Sequence, residues 1–172
     1  MAKLTRGRYI IYIDASFGGG TVQWFKVGKS LSSLTVDLSP DVTTEKNIFD
    51  EVYSVDNGYS PQTSVDPYHA DPDDAIYDKL KEIAMNRLKG DACKTKILEV
   101  LVDAEGTGST TTTYSAWQED VIVKPTSTGG DTAGFAIPFN VYFDGNRQEG
   151  TVKYSTGTYK TGSPTFTPKT GA

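Results

Sequence analysis

Residues 71–90, DPDDAIYDKLKEIAMNRLKG, are the one stretch with helical periodicity in a chain otherwise patterned for strands and turns. Ile76, Leu80, Ile83, Ala84 and Leu88 recur at helical spacing and form one apolar stripe, with Asp78, Lys79, Lys81, Glu82, Asn86 and Arg87 on the remaining positions. Asp71 is placed to cap the first free N–H groups, and Pro72 stands where the helix needs no donor. Asp73 and Asp74 set negative charge against the positive end of the dipole, and Gly90 ends the segment. A helix over about 72–89 is therefore predicted. One amphipathic helix cannot bury its own stripe, so the strands before and after it must supply an apolar sheet face.

Those strands are legible from their alternation and their punctuation. Residues 9–13, TVQWFKV at 21–27 and LTVDL at 34–38 are β-prone, with Gly18 to Gly20 and Gly28 turning the chain between them. From 39 to 70 the text becomes polar and turn-rich, with β-prone islands at 47–49 and 51–55. A structureless loop of about 30 residues is rare inside a compact domain, so this excursion is expected to fold as a hairpin or to be ordered by a neighbouring subunit. After the helix come KTKILEVLV at 94–102, a small polar tip at 105–113, a strand at 114–123 and a second tip at 125–134. FAIPFNVYF at 135–143 is expected to fold back through Asp144-Gly145-Asn146 onto 150–155, with Pro138 at an edge or bulge. Turns rather than helices join these strands, so antiparallel pairing is the economical reading. The expected fold is mostly β, a β-sandwich or barrel of antiparallel strands flanked by a single helix. It forms one domain over 1–172, with 1–20 as an N-terminal arm or edge strand, 39–70 as a long loop or hairpin, and 156–172 as a C-terminal arm. That arm carries so little apolar surface that its deletion is expected to leave the domain folded.

Composition narrows the function classes. A chain of 172 residues can bury a core without disulfides, and its single Cys93 rules out an intrachain disulfide framework. No run approaches the roughly 20 apolar residues of a spanning helix, so direct membrane insertion is not expected. Met1 is followed by Lys3, Arg6 and Arg8 but by no signal-like apolar run, which points to synthesis in the cytoplasm. A formal charge of −5 with scattered basic residues argues against a protein that grips phosphates.

No catalytic constellation emerges, and no metal or cofactor site is expected. Gly28-Lys29-Ser30 resembles the end of a phosphate-binding loop, but position 23 is Gln where that loop needs Gly. His69, the sole histidine, lies near Asp66, Asp71, Asp73 and Asp74; a turn followed by helix-start carboxylates accounts for all of them. Cys93 beside Lys94 lacks a base and reads as a small buried residue. Glu99, Asp103, Glu105, Glu119 and Asp120 offer carboxylates for a glycosidase pair, yet no spacing selects two of them. Trp24, Trp117 and the ten tyrosines are compatible with a sugar-stacking platform, which makes a carbohydrate-binding β-sandwich of a tail tip or adhesin the alternative reading.

Several segments, in order around the helix, resemble a known family. They are Gly28 with LTVDL, Lys46-Asn47-Ile48-Phe49, and Pro67-Tyr68 with Ala70. Tyr114-Ser115-Ala116-Trp117-Gln118-Glu119 leading into VIVKP follows, then Gly129-Gly130-Asp131, Ile137-Pro138-Phe139, and Gly145 with Gly150-Thr151. Together they resemble the phage major tail protein, the tail-tube subunit of long-tailed, non-contractile bacteriophages. The resemblance implies a non-enzymatic virion protein whose six copies close into a ring, with rings stacking into a hollow tube for genome ejection. It implies as partners other copies of itself, the tape-measure protein, the tail terminator and tail-tip or initiator proteins, with double-stranded DNA passing transiently through the lumen. The excursion at 39–70 and the arms would reach adjacent subunits, and the stripe of Ile76, Leu80, Ile83 and Leu88 would face the sheet, away from the lumen.

Overall fold

The computed structural model describes residues 3–103, 113–155 and 158–170. Alternating apolar residues form β1 (Tyr9–Asp14), β2 (Trp24–Lys26), β3 (Val36–Asp37), β4 (Pro40–Lys46), β5 (Val52–Tyr59) and β6 (Gln62–Val65). The helix α1 (Tyr77–Asn86) follows, then β7 (Lys94–Leu101), β8 (Tyr114–Pro125), β9 (Gly129–Asp131), β10 (Gly134–Ala136), β11 (Phe139–Tyr154) and β12 (Pro164–Pro168). The protein is thus mostly β with a single α-helix among the described residues, and the paired strands are antiparallel, as expected. The expected tip at 105–113, including Glu105, lies outside the described residues except for Thr113.

The main sheet runs in the order β2-β1-β7-β8-β11-β6-β3, with β12 also paired to β11. The sandwich-or-barrel expectation is met by this one curled sheet, which buries apolar clusters on both faces. On one face Ile11, Ile13, Ile97, Val121, Val123, Phe139 and Val141 pack with Ile76 and Leu80 beside α1. On the other, Ile10, Tyr12, Leu98, Val100, Tyr114, Val152 and Tyr154 are covered by Trp24, Tyr159 and Phe166. β1 therefore has no solvent side: every residue from Ile10 to Asp14 is buried, and β2 and β7 flank it. The expectation of an arm or edge strand at 1–20 is corrected here, since YIIYID carries apolar side chains for both faces and only a central strand can bury both.

α1 is shorter than its periodicity promised. Asp71 does act locally, but its Oδ1 accepts the N–H of Asp73 at 3.0 Å while its carbonyl accepts Asp74 N–H at 2.9 Å. Asp74 Oδ2 in turn accepts the Tyr68 hydroxyl at 3.1 Å. These bonds hold 71–76 as successive turns, a competition that short polar side chains commonly win at helix starts. The helix also ends before Gly90: Arg87 takes the left-handed conformation (φ 49°) and Leu88 N–H returns to Ile83 O at 3.1 Å. Ile76, Leu80 and Ile83 are buried, and α1 lies against β8.

Two further corrections concern the C-terminal third. Asp144-Gly145-Asn146 does take positive φ angles, at Gly145 (94°) and Asn146 (59°), yet the chain does not reverse. It continues as the 16-residue β11, whose halves pair with the two halves of β8 across a bulge between Phe143 and Gln148. β8 is long enough to template both halves, so the turn residues are spent on a bulge. The C-terminal arm is likewise no arm: β12 pairs with β11 from Gly150↔Pro168 to Tyr154↔Pro164, and Phe166 packs onto the second cluster. Gly150 permits this approach, because a Cβ there would stand 2.3 Å from Thr167 O and 2.6 Å from the Phe166 ring.

Candidate assembly surface

Between β3 and β6 the chain leaves the main sheet as a two-stranded ribbon, β4 paired only with β5 from Lys46↔Val52 back to Pro40↔Tyr59. The excursion at 39–70 is thus a hairpin followed by β6, and the island at 47–49 is its turn, not a strand. Asn47 builds that turn: its Oδ1 accepts the N–H groups of Phe49 (2.9 Å) and Glu51 (3.1 Å), and its Nδ2 donates to Glu51 Oε2 at 2.8 Å. Asp50 completes it with φ 59°. The result is an ordered tip that holds Ile48 92% and Phe49 74% exposed, above strands on which Val42, Val52, Tyr53 and Tyr59 are also exposed. A two-stranded hairpin without a packed face is marginal in water, and a row of exposed apolar side chains marks a contact surface.

The residues singled out for chemistry disperse. Gly28-Lys29-Ser30 forms a turn, Leu31 N–H to Gly28 O at 3.0 Å, beside a cavity of about 250 Å³ that Asp71 and Asp74 also line; carboxylates there would repel a phosphate. Lys29 pairs with Asp71 at 3.4 Å. The N–H of Asp73 holds the Asp71 carboxyl below its ordinary range, with Lys29 assisting. His69 sits in a backbone bridge to Ala136, and its buried Nδ1 has no hydrogen-bond partner; of the aspartates near it in sequence, Asp71 accepts the Asp73 N–H and Asp74 the Tyr68 hydroxyl. Cys93 is buried, and the lysine it meets is Lys124 of β8 (Nζ to Sγ 3.6 Å), not Lys94, which pairs with Asp91. Among the described residues no group of His, Cys, Asp and Glu is placed to hold a metal ion, and no helix is long and apolar enough to cross a membrane. Trp24 stands opposite Asp14, on the face of Tyr12, whereas Trp117 stands opposite Glu99, on the face of Ile97. Directly paired residues share a face, so the two indoles lie on opposite faces of the sheet and make no common sugar platform.

No protein-family model and no curated protein matches the sequence. Solved structures resemble it in fold. One is a chain of an extracellular contractile injection system, the PVC sheath/tube terminator in the extended state: 15% identity over 87% of this chain and 97% of that one, TM-score 0.48. Another belongs to the PVC sheath–tube complex in the extended state, with 16% identity over 87% and 92% and TM-score 0.48. A third belongs to the anti-feeding prophage cap, described as the tube-terminating cap, with 16% identity over 88% and 93% and TM-score 0.49. Two of these three come from a contractile system, whereas the sequence motifs resemble the non-contractile type.

Of the five carboxylates weighed as a pair, the sheet register couples Glu99 and Glu119, both buried, through a residue that sequence reasoning missed. Arg147 Nη1 donates to Glu99 Oε1 at 2.9 Å and to Glu119 Oε1 at 3.1 Å. Tyr9 donates its hydroxyl to Glu99 Oε2 at 2.6 Å, Gly145 N–H reaches Glu119 Oε2 at 3.3 Å, and the Arg147 guanidinium lies 5.9 Å from the Trp117 ring. Burial alone would pull the guanidinium pKa down, but the bonds and charges of the two glutamates outweigh it and raise it. Both carboxylates are thereby committed to holding the β11 bulge. No sequence signal pointed to Arg147, because Asp144-Gly145-Asn146 reads as a hairpin turn and the bulge is visible only in the strand register. Arg147→Ala should cost about 2–3 kcal/mol, below the roughly 3–5 of a fully buried pair because one side of the guanidinium meets water. Urea denaturation should show a lower midpoint at unchanged slope; a shift within about 0.5 kcal/mol would refute the bracing role.

Proposed function

We propose that this chain is a structural tail-tube subunit that assembles into stacked, hexameric rings forming the hollow tube of a phage tail. The observation that carries the reading is the β4–β5 hairpin, an ordered projection whose exposed apolar side chains find no cover among the described residues. The order of the tail-protein motifs along 24–152 supports it independently, and the same resemblance carries the non-contractile type, the hexameric count and the domain plan. On this reading the protein has no catalytic role. Its partners are further copies of itself, the tape-measure and terminator proteins and the tail tip, while DNA passes without being gripped, in keeping with the acidic charge of −5. Tail location in the virion and synthesis in the host cytoplasm go with it.

Negative-stain microscopy of the purified protein at high concentration, with tape-measure and initiator partners added, should show rings or tubes of six-fold symmetry. A strictly monomeric species under those conditions would end the proposal. The double variant Ile48→Ser/Phe49→Ser should abolish rings and tubes while leaving monomer stability within about 0.5 kcal/mol, because neither side chain contributes to the core. Sedimentation velocity and thermal melts read the two effects separately; unimpaired tubes would show that the tip is not an assembly contact.

A further inference from the structure

We propose that the Ile48–Phe49 tip of one copy seats in the groove between β2 and the turn before α1 of a second copy. This rests on the self-assembly reading and names the surface that receives the hairpin. The groove has a volume of about 490 Å³ and is walled by Trp24, Phe25, Gly28 and Ala75, with Lys26 and Lys29 along it. Its size falls in the range of about 300–1,000 Å³ that accommodates ligand-sized groups, which leaves room for two apolar side chains.

Charge and size together select this groove: the neighbouring cavity lined by Arg6 and Lys26 also lacks carboxylates, but it holds only about 210 Å³. The hairpin carries Asp41, Glu45, Asp50, Glu51 and Asp56 against the single Lys46, so its tip approaches a partner as an acidic element with an apolar end. The groove offers Lys26 and Lys29, the latter already paired with Asp71, and no acidic lining residue, whereas the cavity beneath it is lined by Asp71 and Asp74 and the cavity near His69 by Asp66 and Asp131. Opposite signs at the rim steer encounter and fix register, and the wrong cavities are penalised by like charge. The tip is also pre-organised by the three Asn47 bonds, so little ordering is required on docking. Knob and groove are different surfaces of one chain. In stacked rings such a contact is heterologous, and repeating it generates a closed ring or an extending array.

Cysteine cross-linking tests the contact, helped by the burial of the one native thiol. Ile48→Cys, which keeps Phe49, is mixed with Ala75→Cys under mild oxidation, and with Met85→Cys as a control on the exposed side of α1. The mixed disulfide with Ala75→Cys should form roughly tenfold or more faster than with the control, because a seated tip raises the effective concentration of the thiols. Equal rates, or a disulfide to a co-purifying protein of other sequence, overturn the proposal. Tubes in wild-type micrographs without a preferential disulfide leave the tail-tube reading standing and remove this contact. No rings or tubes removes that reading, and the preferential disulfide then retains the groove as a contact between two copies.

Discussion

Above about pH 10, the ordinary tyrosine range, the protein should unfold cooperatively. Tyr9, Tyr12, Tyr68 and Tyr154 all have pKa values raised by burial, with the Glu99 charge adding at Tyr9, the Asp74 charge at Tyr68 and the Tyr12 hydroxyl bond at Tyr154. A group whose folded pKa lies above its unfolded value contributes stability that is complete below the unfolded value and lost as pH rises toward the folded one. Each such tyrosine costs at most about 1.4 kcal/mol per pH unit in that window, so the four together cost up to about 5.6. Set against the about 5–15 kcal/mol of a typical domain, one or two pH units above 10 are enough. Circular dichroism and tyrosinate absorbance should therefore change together, and Tyr154→Phe should flatten the pH dependence by about 1.4 kcal/mol per unit. Ionisation of all ten tyrosines near pH 10 with the dichroism intact would contradict this.

Deleting residues 158–172 should abolish cooperative folding or leave a molten species, the reverse of what a polar arm would do. β12 closes the second cluster: Pro164 is buried, Phe166 and Tyr159 cover Tyr114, Val152 and Tyr154, and Gly150 lies directly beneath Phe166. Phe166 is half-buried, so its loss alone costs less than the about 3–5 kcal/mol of a fully buried phenylalanine, but a five-residue ladder, the buried Pro164 and a second aromatic leave with it. That loss approaches the whole stability of a marginal domain. The milder Phe166→Ala keeps the ladder and should lower the unfolding midpoint by a smaller, measurable step. A deletion variant that melts as sharply as the full chain would show that β12 docks without stabilising.

The gap between the polar text of 156–172 and its buried role is instructive. Among the described residues of TGTYKTGSPTFTPKTGA, the apolar cover comes from Tyr159, Pro164 and Phe166, three residues too widely spaced to produce a periodic signal. Their value comes from a receiving surface, the glycine-lined stretch of β11, that the local sequence cannot reveal. The hairpin presents the opposite case. Its turn at 47–51 was misplaced by β propensity, because Asn47-Ile48-Phe49 reads as strand until the Asn47 side chain is seen to bind the two N–H groups that a strand would offer elsewhere. The Glu99–Arg147–Glu119 cluster joins three strands and was half legible: the carboxylates were candidates, while their cation stood behind an Asp-Gly signal that reads as a hairpin.

By itself the sequence determined the class, since periodicity and turn chemistry are local properties: many strands, antiparallel pairing, one amphipathic helix, and a stripe of Ile76, Leu80 and Ile83 that had to be buried. It also determined what the chain avoids, a spanning apolar run and a disulfide framework. The tertiary structure alone decided that YIIYID is an interior strand and that Asp-Gly becomes a bulge. It also decided that the last strand seals the core, and that the excursion stands free with Ile48 and Phe49 outward. Each of those outcomes depends on which partner strand offers hydrogen bonds and an apolar face at that place, and such competition between distant segments is settled only when all of them are folded together.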